Sequence, residues 1–98
     1  MIIRVFRAVA KEQKVDEFRE FFLKKALPIV KRHGGLLSVQ VGMPTDAGST
    51  EFLMVTTWKD IASLQEFAGE EWQDPVIDPR EAPLLDRTYL HHSQGAAP

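Results

Sequence analysis

A chain of 98 residues allows one domain with one modest core, and its lack of cysteine excludes disulfides, thiolate nucleophiles and Cys-ligated zinc. A net charge of −2 with no basic stripe argues against a nucleic-acid partner. No apolar run is long enough for a signal peptide or a membrane span, so the expectation is a cytoplasmic protein with no membrane partner.

Residues 2–9, IIRVFRAV, read as a first strand. Alternation puts Ile3, Val5, Arg7 and Val9 on one face and Ile2, Arg4, Phe6 and Ala8 on the other. Each face is apolar with one arginine in it. Such an arginine either snorkels to the sheet margin or faces a pocket and holds an anionic oxygen. Alternation alone leaves open which of the two points inward.

Residues 14–33 read as a long helix, because Val15, Phe18, Phe22, Ala26, Ile29 and Val30 recur at helical spacing. Pro28 is expected to kink it, and Gly34 or Gly35 to stop it. His33, near the end, suits the negative pole of the helix dipole. Residues 36–43 read as a second strand with Leu37, Val39, Val41 and Met43 on its apolar face. The turn formers PTDAGST close a hairpin. The third strand, 51–58, is apolar on both faces: Phe52, Met54, Thr56 and Trp58 on one, Leu53, Val55 and Thr57 on the other.

Asp60 is an N-cap for a second helix with Ile61, Leu64 and Phe67 on its buried stripe, ended by Gly69. Residues 69–85 follow as a proline-rich acidic segment whose apolar anchors are Trp72, Val76 and Ile77; such segments often form lids or interface arms. Asp78-Pro79-Arg80-Glu81 predicts a single helical turn that stops before Pro83. Residues 85–92 read as the last strand. The domain is thus expected over 1–92, with 93–98 a flexible tail.

The order β-α-β-β-α-β is that of a ferredoxin-like α+β subunit: a four-stranded antiparallel sheet with two helices on one face. Two helices leave the other face bare, yet the third strand is apolar there too. A second copy, sheet against sheet, is the simplest cover, so a homodimer is expected.

No glycine-rich phosphate loop, HExxH or GxSxG is present. His91 and His92, adjacent on a strand, point to opposite faces and are a poor pair for one metal, so no metal site is expected. Trp58 either packs in the core beneath the second helix or walls a pocket for a planar ligand. Trp72, Phe67, Phe22 and Met54 are the candidates for the rest of an apolar pocket. Arg7, Tyr89 and His91 are its polar candidates.

IIRVFRAV, the helix ending KRHGG, LLSVQV, FLMVTTWKDIASLQEFAGEEW, DPVIDPREAPLL and YLHH together resemble the antibiotic biosynthesis monooxygenase family of dimeric α+β barrels, over residues 2–92. One local departure is Lys11-Glu12-Gln13, where similar sequences often have Pro-Gly. The resemblance implies a homodimer that oxygenates small phenolic, quinol-like or polyketide-like aromatics with no cofactor. Under it Trp58 walls the pocket, Arg7 stabilises a phenolate or enolate, and His91 or Tyr89 moves a proton. Relatives that degrade haem resemble one another in an Asn on the first strand and a Trp followed by a His ligand in the second helix. Here the strand has no Asn, Phe67 stands at the Trp position, and no His lies between His33 and His91, so haem degradation is not expected. The rival readings are a non-enzymatic dimer that binds a small apolar ligand, and an isomerase or cyclase on the same scaffold.

Overall fold

The computed structural model describes residues 1–96. Strand β1 (Ile2–Ala10) leads into a long helix, followed by β2 (Leu36–Gly42), β3 (Glu51–Trp58), α3 (Ile61–Ala68) and β4 (Leu85–Gln94). The strands order β2-β3-β1-β4, every neighbour antiparallel, and both helices lie on one face. This is the ferredoxin-like α+β fold.

The long helix consists of α1 (Val15–Phe21), a π-helical stretch (Phe22–Ala26) and α2 (Leu27–Lys31). Pro28 has no N–H for the carbonyl four residues back. The wide turn just before it absorbs the mismatch: Leu27 N–H reaches back five residues to the Phe22 carbonyl. The expected kink thus takes the form of one widened turn, and the helix resumes.

The sheet face toward the helices carries Ile2, Arg4, Ala8 and Ala10 from β1 and Phe52, Met54, Thr56 and Trp58 from β3, all buried. Phe18 and Phe22 from the helix close on Phe52, with ring centroids 4.9 Å and 5.6 Å away, both edge-on, the favoured geometry for aromatic rings. The second strand departs from its expected pattern. A bulge between Leu36 and Ser38 sets Leu36 opposite Trp58 and turns Leu37 out to 57% exposure. One extra residue reverses parity, so Leu36 replaces Leu37 beside Val39 and Val41.

Asp60 caps α3 by accepting from the Ser63 N–H at 2.8 Å, and the Ser63 side chain together with that N–H holds its carboxyl below the usual range. Gly69 ends the helix at a φ of 81°, a conformation that L side chains rarely adopt. Gly35 has a different reason: a Cβ there would lie 2.2 Å from Ser63 Cβ, so only glycine lets the start of β2 rest on α3.

The turn at 78–84 runs through Pro83 instead of stopping before it. Pro83 sits in the first turn of a 3₁₀ helix (Ala82–Leu84), where an N–H is not needed. Strand β4 extends past residue 92, with Gln94 opposite Ile2 and the Gly95 N–H donating to the Met1 carbonyl at 2.8 Å. Ala97 and Pro98, the end of the expected tail, lie outside the described residues. Among the described residues no helix is long and apolar enough to cross a membrane.

Candidate functional site: a small cavity between sheet and helices

Between the helix-covered face of the sheet and the 76–81 segment lies a cavity of about 170 Å³. Phe6, Met54 and Thr56 form its floor. Phe21, Phe22, Ala26, Ile29 and Val30 of the long helix, and Phe67 of α3, form its walls. Val76, Ile77, Asp78 and Glu81 cover it, and the exposed side chains of Ile29 and Val76 stand among the lining, at its rim. The lining is mostly apolar, with a few polar groups that can orient a ligand.

Arg4 is the first of those groups. It is only 4% exposed. Its Nη1 donates to the Trp72 carbonyl at 2.5 Å and lies 3.0 Å from His92 Nε2; its Nη2 donates to the Asp74 carbonyl at 3.3 Å. The two carbonyl bonds fasten the stretch just before the covering segment to β1. Burial lowers the guanidinium pKa to about 10, so Arg4 remains a cation at neutral pH. His92 is lowered by its own burial first, then by Arg4 and His91. A neutral His92 accepts from Arg4, with its ring proton on Nδ1.

Glu81 is the second. It is 5% exposed, and no described residue donates to its carboxyl or pairs with it. Burial pushes its pKa up to about 7; Asp78 adds to the rise and Arg80 opposes it. Neither Arg4 Nε nor the Glu81 oxygens are sealed, because every sealed side-chain N or O among the described residues has a hydrogen-bond partner. Both groups therefore keep open surface, and the cavity they line is the space beside them. Thr56 and Asp78 complete the polar set; Thr56 Oγ1 accepts from the Trp58 indole N–H at 2.8 Å, and Asp78 is paired with Arg80.

Met54, Phe67 and Phe22, three of the expected pocket residues, stand in the lining of this cavity. Trp58 does not. It is fully buried one layer behind, stacked on Phe67 with centroids 5.4 Å apart and planes 13° off parallel. Trp72 does not line it either; its ring meets His92 edge-on and its carbonyl holds Arg4.

The placement expected for Arg7, Tyr89 and His91 is corrected. Register sets Arg7 opposite Leu53 and Tyr89, and Val5 opposite His91, all on the face without helices. There Arg7 pairs with Glu51 and stacks over Tyr89 at 4.7 Å. The inward arginine is Arg4 and the inward histidine is His92. Glu81, expected only as a capping residue, was missed as a site residue: nothing local in the sequence marks a buried, unpaired carboxylate.

A model of the family described as antibiotic biosynthesis monooxygenase matches residues 1–74. The chain belongs to that family. No curated protein matches the sequence. Among solved structures, a Deinococcus radiodurans protein described provisionally as an antibiotic biosynthesis monooxygenase shares 13% identity, with a TM-score of 0.76 and coverage of 100% of this chain and 95% of the other. A conserved protein from Methanosarcina mazei Go1 shares 22%, with a TM-score of 0.73 and coverage of 98% and 94%. A MhuD mutant that carries two manganese protoporphyrin IX molecules per active site shares 17%, with a TM-score of 0.72 and coverage of 100% and 97%. These likenesses establish the shared fold. The family match stops at residue 74, short of Glu81.

Proposed function

We propose that this family member is a cofactor-independent monooxygenase that oxidises a small phenolic or quinol-type aromatic with O₂. The observation that carries this reading is the apolar cavity with a fixed cation and a carboxyl group opening onto it. In such chemistry the ionised substrate gives its electrons to O₂; one oxygen atom enters the ring and the other leaves as water. The protein orients the ring, stabilises its anion and keeps out bulk water. A porphyrin suits this site poorly, because its four pyrrole rings far exceed a cavity of about 170 Å³ and, among the described residues, no histidine lines it. Oxygen consumption with a panel of hydroquinones tests the reading. Substrate-dependent uptake is the expected result. Tight binding with no uptake by any member would make the protein a binding module instead.

The same reading includes a homodimer. Ile3, Val5 and Val9 of β1 lie beside Leu53 and Val55 of β3 on the face without helices, with Tyr89 43% exposed at its edge. A second copy packed there would bury this apolar surface, with the Arg7–Glu51 pair and His91 at the contact. Sedimentation velocity at micromolar concentration should give twice the chain mass; a monomer there would refute it.

A further inference from the structure

Glu81 and Arg4 reach the cavity from opposite sources. Glu81 comes from the turn after the covering segment, outside the family match; Arg4 comes from the central strand β1. Arginine has five N–H donors, and three are engaged, by the Trp72 carbonyl, the Asp74 carbonyl and His92. Nε–H and one N–H of Nη2 are left over. Glu81 has no donor at all among the described residues. A buried carboxyl without a partner is costly to keep, and a ligand hydroxyl is the partner that fits it.

We propose that Glu81 is the general base of this site, that Arg4 Nε–H holds the oxyanion it generates, and that the substrate is a single-ring phenol or hydroquinone. The size limit comes from volume: an engineered apolar cavity of about 150 Å³ holds one benzene, and this one measures about 170 Å³. A single ring matches that volume, and its substituents leave past Ile29 and Val76. The phenolic O–H bond breaks, its electron pair stays on oxygen beside Arg4, and the proton moves to a Glu81 oxygen. The charged groups around Glu81 are Asp78 and Arg80 on its own segment, and Arg4 lines the same cavity; burial, reinforced by Asp78 and opposed by Arg80, leaves the carboxyl able to take a proton near neutral pH.

This assignment deepens the monooxygenase reading and rests on it, so the test separates the two. The probes are para-nitrophenol and its methyl ether, para-nitroanisole, titrated against the full chain and Glu81→Gln between pH 6 and 9. The ether should bind both proteins equally at every pH. If it binds neither, the cavity reading itself fails. Nitrophenol binding to the parent protein should weaken about tenfold per pH unit above neutrality, because phenolate and carboxylate share one proton in one small space. In E81Q that slope should vanish, since a phenolate beside Arg4 needs no proton. Ether binding with an unchanged nitrophenol slope in E81Q would overturn the role of Glu81 and leave the cavity standing. In turnover of a methylhydroquinone, E81Q should consume oxygen about 100-fold more slowly. An unchanged rate would likewise remove Glu81 as the base.

Discussion

Replacing Trp58 with alanine should lower the unfolding free energy by about 3–5 kcal/mol. The indole is fully buried, stacks on Phe67, and meets His33 edge-on at 6.1 Å. Its N–H is satisfied by Thr56. Truncation therefore leaves a large void under α3 and takes the support from one wall of the cavity. Domains of this size are stable by only about 5–15 kcal/mol, so the variant should be marginal. Urea denaturation checks this: the midpoint should fall with little change in slope. A loss below about 1 kcal/mol would mean that the neighbours collapse to fill the space. Trp58→Phe is the informative companion. It removes the hydrogen bond and part of the volume but retains a ring behind Phe67. Because Trp58 itself does not line the cavity, that variant should lose stability while still binding para-nitroanisole.

Glu81→Gln should make the protein more stable in mild alkali and leave it unchanged in mild acid. The carboxyl titrates at about 7 when folded, against 4.5 ordinarily, because burial disfavours its charge. Below the ordinary value both states hold the proton, and nothing is lost. As pH rises, the unfolded chain releases that proton first. Folded stability then falls until the native carboxyl also ionises near 7, by about 3 kcal/mol in all. Glutamine has no such transition. The variant should match the parent at pH 4.5 and exceed it by that margin at pH 8. Asp78 does not confuse this window, because its hydrogen bonds with Arg80 hold it down to about 2. Its contribution is present throughout and is lost only in stronger acid. Thermal or urea unfolding across this range is the measurement. Parallel pH profiles for parent and variant would show that Glu81 is not buried as a titrating group.

The residues behind these two effects differ in how visible they are in the sequence. Trp58 ends an apolar strand just before an N-cap, so its importance is local and readable. That position is compatible with core packing and with a pocket wall. Burial chooses the first, and Phe67 in front of it takes the second. Arg4 and Arg7 are symmetric in the sequence, each an arginine amid apolar neighbours. What separates them is which strand face meets the helices, and no residue of β1 encodes that by itself. Leu36 and Leu37 exchange places for a related reason. A single bulge reverses parity, and nothing in LLSVQV marks where the extra residue falls. Glu81 was the hardest to read. Its spacing after Asp78 and Pro79 is that of a cap, and the cavity it lines is walled by the long helix, fifty or more residues earlier in the chain.

The element order, the helix start at Asp60 and stop at Gly69, the aromatic composition of the core, and hence the ferredoxin-like class are all legible in the chain. Those follow from periodicity, capping and turn chemistry, which act over a few residues and are written locally. The packing of distant elements sets the rest: the cavity lies on the helix side, Arg4 and not Arg7 lines it, and a carboxyl from beyond residue 74 joins it. Each of these depends on which distant surfaces meet. A side chain's charge state follows from how much water those meetings remove, and that is a property of the packed fold.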